Sequence, residues 1–102
     1  MDWDFFYKQL QEGLNIDETC FYFDDDPNEE EHYLGYLPNY NKPYWVGRCD
    51  VEGGCEFANA AELVNAPIFN GKTLRERWDN VVICHIEGCS LDDWVKCFRH
   101  IW

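Results

Sequence analysis

The chain has 102 residues, and its 20 aspartate and glutamate residues against 8 lysine and arginine residues give a formal net charge of −12. This length fits one domain, and shares of 46% hydrophobic and 18% aromatic residues are typical of a chain that folds. The charge disfavours direct contact with nucleic-acid phosphates or with an anionic membrane, since both attractions depend on lysine and arginine.

The negative charge is concentrated at the start of the chain. Residues 1–31 hold eleven acidic residues against one lysine, a net charge of −10, whereas residues 32–102 have a net charge of −2. Six of the eight residues 24–31 are acidic, and Pro27 interrupts regular structure. We therefore predict an exposed loop at 24–31, called the acidic loop below.

A helix is predicted over residues 2–12. Asp2 is placed to cap its first turn and Gly13 to end its last. Apolar side chains recur at helical spacing between these two residues. The apolar stripe consists of Trp3, Phe6, Leu10 and Leu14.

Four short strands follow in the first half of the chain. They are predicted over residues 19–23, 32–37, 44–49 and 55–57, where aromatic and β-branched residues stand between turn residues. The connections are short, so we expect consecutive strands to pair as an antiparallel meander.

The second half carries helical signals around one strand. Asn59 with Glu62, and Thr73 with Glu76, have the spacing of a capping box, so each pair predicts the start of a short helix. Pro67 ends the first of these helices, and Asn80 closes the second.

The last elements are a strand at 81–86 and a final helix capped by Ser90. The apolar face of this helix consists of Leu91, Trp94, Val95, Phe98 and Ile101. Antiparallel strands followed by helices predict a single small α+β domain over residues 1–102, with a four- to five-stranded antiparallel sheet and helices packed on one face.

The sequence predicts a cytoplasmic protein, because acidic residues stand where a secretory signal would carry positive charge, and no stretch is apolar enough to span a membrane. In a reducing compartment, its six cysteines are expected to be free thiols. They are Cys20, Cys49, Cys55, Cys84, Cys89 and Cys97.

A structural zinc site is one alternative reading, with ligands Cys49, Cys55, Cys84 and Cys89. Zinc sites usually draw on more closely spaced cysteine pairs than Cys49 and Cys55. His85 follows Cys84 directly on a strand, so the two side chains should point to opposite faces. We therefore expect no cofactor and no metal. A calcium loop beginning at Asp24 lacks the glycine and glutamate that its geometry requires.

A cysteine-dependent enzyme is a second alternative. Cys89 stands just before the predicted cap Ser90, where a helix N-terminus lowers a thiol pKa, and His85 is four residues upstream. His85 lies inside a predicted strand, however, so we expect a non-enzyme. The remaining histidines, His32 and His100, are expected to be solvated.

The leading hypothesis is a small non-catalytic interaction protein. Acidic side chains beside aromatic ones favour a surface for a basic protein, such as a nuclease or nucleic-acid-binding protein, bound in the manner of an immunity protein or DNA mimic. The predicted binding residues are Asp24, Asp25, Asp26, Glu29, Glu30, Glu31, Tyr33 and Tyr36. The sequence names neither the partner nor the oligomeric state, and a dimer involving Trp102 stays open.

Overall fold

Six antiparallel strands form the centre of the computed structural model, which describes residues 1–13 and 16–94. The strands are β1 (Thr19–Phe23), β2 (His32–Tyr36), β3 (Tyr44–Gly47), β4 (Cys55–Phe57), β5 (Val81–Ile86) and β6 (Cys89–Ser90). Their order across the sheet is β4-β3-β2-β1-β5-β6. The first four strands form the expected meander, and β5 pairs with the free side of β1.

The helices that accompany this sheet are α1 (Trp3–Glu12), α2 (Ala60–Asn65) and the 3₁₀ helix Trp78–Asn80, and residues 91–94 at the end of the described range are also helical. At the start of α1, Asp2 Oδ2 accepts a hydrogen bond from Phe5 N–H at 3.2 Å. Gly13 ends α1 with a φ of 75°. No helix in this part of the chain is long and apolar enough to cross a bilayer. The predicted α+β class, with helices on one sheet face, is confirmed.

The predicted number of strands is too low, because β6 is missing from the sequence-based assignment. β6 has two residues and pairs with β5 across the turn Glu87-Gly88, where both residues have positive φ. Such a two-residue turn is typical of a tight hairpin. The sequence does not single out this turn because Ser90 also fits a helix cap, and Ser90 Oγ does accept a hydrogen bond from Asp93 N–H at 3.2 Å.

The helix predicted after Thr73 is wrong for most of its length. The capping bonds form as expected, with Thr73 N–H donating to Glu76 Oε1 and Glu76 N–H to Thr73 Oγ1, both at 3.0 Å. The backbone then continues as turns, and only the 3₁₀ helix is regular. Asn80 N–H bonds the carbonyl of Arg77 three residues back, which is the tighter 3₁₀ pattern.

The hydrophobic core lies between the helices and one face of the sheet. Alternate residues of β1, Phe21 and Phe23, point into it and are both 1% exposed. Phe6 and Leu10 of α1 are equally buried, and Leu63 of α2 joins them. The intervening residues of the central strands therefore point to the opposite face.

Two sequence-based expectations fall partly outside the described residues. Leu14 of the first apolar stripe is one. The other is the final helix: residues 91–94 are helical, and Trp94 is 6% exposed. The rest of its predicted apolar face, with Cys97, His100 and Trp102, lies in 95–102.

Candidate functional site

The acidic loop is held in shape by one of its own carboxylates. Asp26 Oδ1 accepts a hydrogen bond from Asn28 N–H at 2.9 Å, and Asp26 Oδ2 accepts one from Glu30 N–H at 3.1 Å. Both bonds favour the ionised carboxylate, so they lower the pKa of Asp26 below its ordinary value. The segment is therefore a structured turn with its acidic side chains in defined positions.

The first residues of the acidic loop are docked onto the 3₁₀ helix and the residue before it. Arg77 Nη2 lies 2.6 Å from Asp25 Oδ1, and its guanidinium carbon lies 3.7 Å from the centroid of the Phe23 ring. Asn80 Nδ2 donates to Asp24 Oδ1 at 2.9 Å, and Asp24 N–H donates to the Asn80 carbonyl at 2.8 Å. Asp24 and Asp25 therefore stabilise the folded structure by attaching the acidic loop to residues 77–80.

The glutamates of the acidic loop point outward. Glu29, Glu30 and Glu31 are all exposed. Tyr33 Oη donates a hydrogen bond to Glu31 Oε2 at 3.1 Å. This bond to a carboxylate holds the phenol in its neutral form and raises the pKa of Tyr33 to about 12. Of the predicted binding residues, those free for a partner are therefore Glu29, Glu30 and Glu31, together with Tyr33.

The structure does not bring Tyr36 together with Tyr33. The two residues are three positions apart on β2, so their side chains lie on opposite faces of the sheet. Tyr36 packs on the helix side, 4.9 Å from the Tyr44 ring between centroids. It also covers Gly13, where an added Cβ would meet the Tyr36 ring at 2.7 Å. Tyr36 thus belongs to the packing between α1 and the sheet.

Two cavities lie beside the acidic loop. The smaller one, about 60 Å³, is lined by Asp26 from the loop and by His32, Arg48 and Arg77. The larger one, about 280 Å³, shares Asp26 and Arg77 and adds Lys72. Cationic side chains therefore lie beside the acidic loop, and the smaller cavity also contains the carboxylates of Asp26, Glu30 and Asp50.

His32 is not solvated as the sequence suggested. Its ring is 8% exposed, and its centroid lies 5.3 to 5.5 Å from those of three phenylalanines, Phe21, Phe23 and Phe69. Its Nδ1 makes a short hydrogen bond with the backbone carbonyl of Arg48. His32 is the first residue of the predicted strand beside the acidic loop, and strand alternation turns its side chain into the core.

The four cysteines of the zinc alternative are not brought together. Cys49 Sγ lies 3.8 Å from Cys55 Sγ, and burial raises the pKa of Cys55 to about 12. Cys84 is on β5 and Cys55 is on β4, and these strands are four positions apart in the sheet. Neighbouring strands are roughly 4.8 Å apart, so the two strands are separated by about 19 Å. Cys89 is exposed on β6. One metal ion cannot bind all four sulfurs.

The cysteine-enzyme alternative also lacks its geometry. In the β5–β6 ladder, His85 lies opposite Ser90 and Cys89 lies opposite Ile86. Residues directly opposite share a face, and neighbours along a strand do not, so Cys89 and His85 point to opposite faces. The imidazole is therefore not placed to activate the Cys89 thiol.

Sequence reasoning missed one cluster of potential ligands. Cys20 on β1, Cys84 on β5 and Glu31 at the end of the acidic loop place two sulfurs and a carboxylate oxygen within 4.8 Å of one another. Cys20 is fully buried, and this burial raises its pKa to about 11. The cluster depends on the pairing of β1 with β5, which are 57 residues apart in the chain, so no local spacing could reveal it.

Comparison with known proteins gives one informative likeness. No known family profile and no solved structure matches the chain. The chain is 25% identical over 105 residues to the intracellular ribonuclease LX of Solanum lycopersicum. The alignment covers 99% of this chain and 39% of that protein, so the chain spans well under half of its length. The likeness to a ribonuclease therefore extends over this chain but not over the whole enzyme.

Proposed function

We propose that this chain is a small non-catalytic interaction protein that binds a basic protein partner, such as a nuclease or nucleic-acid-binding protein, through the acidic loop. The observation that carries this proposal is that the aspartates and the glutamates of the acidic loop have different environments. The aspartates are docked against Arg77 and Asn80, whereas Glu29, Glu30 and Glu31 are exposed. Three carboxylates are thereby presented from a loop whose shape is already set.

Preorganisation matters because binding a mobile acidic segment would cost ordering entropy. The two hydrogen bonds to the Asp26 carboxylate already order the loop in the folded protein, so little further ordering is needed when the partner binds. Clustered carboxylates then attract a basic surface over several ångströms and raise the association rate, with an effect that salt weakens. Tyr33 beside Glu31 adds an aromatic contact of the kind that interfaces favour.

The placement of the described histidines supports a non-catalytic role. General acid–base chemistry most often uses histidine within hydrogen-bond reach of the substrate. The His32 ring is packed among phenylalanines, and His85 lies on β5, on the opposite face of the sheet. The two imidazoles therefore do not face one common substrate position.

The first experiment identifies the partner and then measures its affinity. The immobilised chain is exposed to an extract of its source cells at low salt, and specifically retained proteins are identified. The recovered partner is then titrated against the wild type, the double variant Glu29→Gln/Glu30→Gln and the control Glu52→Gln/Glu56→Gln. The control removes the same charge from exposed residues near β4, at the far edge of the sheet.

We expect a basic partner whose dissociation constant rises about 2- to 30-fold in the loop variant, since exposed ion pairs contribute roughly 0.2–1 kcal/mol each. The control should stay close to the wild type, and the salt dependence should flatten in the loop variant alone. The proposal fails if the retained partner is acidic or if the loop variant binds it as tightly as the wild type.

Action on RNA is the second candidate, favoured by the ribonuclease likeness and by the arginine side chains that line the cavities beside the acidic loop. In this case Arg48 and Arg77 would contact phosphate, and His32 would be the group available for proton transfer. A fluorescent single-stranded oligoribonucleotide tests the idea. Cleavage that is lost in both Arg48→Met and His32→Phe supports it. Absence of both cleavage and binding by the folded wild type excludes it.

A further inference from the structure

The second face of the sheet carries a cluster of three potential metal ligands, of which Glu31 also belongs to the proposed partner surface and the two cysteines do not. Its members come from three different segments: Cys20 from β1, Cys84 from β5 and Glu31 from the end of the acidic loop. We propose that Cys20, Cys84 and Glu31 form a binding site for one thiophilic divalent cation of the Zn²⁺ type. The proposal does not rest on the partner-binding function.

A β-bulge explains how the two sulfurs meet. Phe21 pairs with Ile83 and Cys20 with His85, so Cys84 is an extra residue in the ladder with no partner of its own. The expectation that Cys84 and His85 alternate strictly between faces does not hold at such an irregularity. The bulge instead directs the Cys84 sulfur toward Cys20, and the two sulfurs lie within 4.8 Å of each other.

The carboxylate is positioned by the neighbouring tyrosine. Tyr33 lies opposite Cys20 in the β1–β2 ladder, and its hydroxyl donates to Glu31 Oε2 at 3.1 Å. This bond holds the carboxylate over the strand pair that carries both thiols. Metal-ligating carboxylates commonly have such a hydrogen-bond donor behind them, and the donor orients the ligating oxygen.

The donor set selects the class of cation. Thiolate sulfur favours Zn²⁺ or Cd²⁺ over Ca²⁺ and Mg²⁺, which prefer sites made wholly of oxygen. Three protein ligands leave a fourth tetrahedral position for water. Cys20 is fully buried and Cys84 half-buried, whereas Glu31 is exposed, so the ion would enter from the Glu31 side. Each thiol would release its proton to solvent on ligation.

The second thiol pair supplies an internal comparison. The sulfurs of Cys49 and Cys55 lie even closer, at 3.8 Å. Within the described ranges, however, no carboxylate or imidazole joins them in a three-ligand cluster. If close thiols alone were sufficient, this pair would bind the metal as well.

The test is metal titration of the full chain, kept reduced with a phosphine that does not bind the ion. Cd²⁺ is added while the thiolate charge-transfer absorption is followed, and Zn²⁺ affinity is measured by competition. The site variants are Cys84→Ser and Glu31→Gln, both at positions with solvent access. The matched controls are Glu30→Gln and the double variant Cys49→Ser/Cys55→Ser, and circular dichroism verifies that each variant folds.

We expect one ion per chain and a charge-transfer band in the wild type. Zn²⁺ affinity should fall at least about 100-fold in Cys84→Ser and about tenfold in Glu31→Gln, in the range seen when a metal site loses a ligand or its support. Both controls should bind as the wild type does. The proposal is overturned if the wild type shows no thiolate band, if folded Cys84→Ser retains the affinity, or if the Cys49/Cys55 control loses it.

The two proposals fail separately. Changing Glu29 and Glu30 alters the partner surface and leaves all three metal ligands in place. Loss of partner binding in that variant with unchanged Zn²⁺ affinity would support the first proposal without affecting the second. Conversely, the Cys84→Ser variant leaves every carboxylate of the acidic loop intact.

Discussion

Single residues decide how closely the segments of this protein approach each other. Gly35, in the middle of β2, is the clearest case, because the Trp45 ring of the paired strand lies directly over its Cα. The Asp17 carboxylate occupies the remaining space and is itself fixed, since Asp17 Oδ1 accepts hydrogen bonds from Tyr36 N–H at 3.0 Å and Glu18 N–H at 3.1 Å. No side chain fits at this position without displacing one of these groups.

We therefore expect Gly35→Ala to destabilise the protein by about 1–3 kcal/mol, the usual cost of overpacking. The added Cβ would lie 2.5 Å from two atoms of the Trp45 ring. Gly47→Ala is the control, because its Cβ would come no closer than 3.9 Å to its nearest neighbours. Urea unfolding measures both variants, and equal stabilities for the two would contradict the packing argument.

At the scale of an element, the acidic loop is the part whose structure depends most on ionisation. Its turn is closed by the two backbone bonds to Asp26, and these exist in full only while the carboxylate is charged. The pKa of Asp26 is lowered from its ordinary value of 3.8. A pKa lower in the folded than in the unfolded state means that the contribution to stability is complete above the ordinary value and is lost as pH falls below it.

We expect the amide resonances of Asn28 and Glu30 to shift with a midpoint below pH 3.8 as the acidic loop loosens on acidification. NMR titration of the folded chain measures this directly. Asp26→Asn is the control, since it removes the titrating group while keeping the shape of the side chain. A midpoint at or above 3.8, or the same titration step in Asp26→Asn, would show that Asp26 does not close the loop.

The elements themselves follow from local signals of different strength. α1 begins and ends where Asp2 and Gly13 predict, because a cap and a glycine act on the adjacent turn alone. The strands β1 and β5 also have their predicted bounds. The segment after Thr73 fails as a helix although its capping bonds form, since a cap opens a turn but packing decides whether the turn repeats.

For the whole molecule, the dominant property is a net charge of −12 on a structure with a radius of gyration of 13.0 Å. Like charges at such separations repel one another, and salt weakens this repulsion because the screening length is about 10 Å at 0.1 M. The folded state gains most from screening, since its charges are closer together than in the unfolded chain.

We therefore expect the free energy of unfolding to rise by roughly 1 kcal/mol between low salt and physiological salt. This change is comparable with the free energy contributed by a few exposed ion pairs. Chemical unfolding with urea, which is uncharged, measures the change. Glu29→Gln/Glu30→Gln should show a smaller rise, because it carries less charge to screen. A fall in stability with salt would mean that attractive pairs such as Asp25 with Arg77 outweigh the repulsion.

The sequence by itself determined the α+β class, the caps, the strand meander and the position of the acidic loop. Each of these depends on charge counts, turn residues or periodicity over a few neighbours. Tertiary structure alone decided that the loop aspartates bond Arg77 and Asn80, that His32 is buried, and that Tyr33 and Tyr36 lie apart. It also brought Cys20 to Cys84, because the contact between β1 and β5 is set by which distant strands pair and by a single bulge in their register.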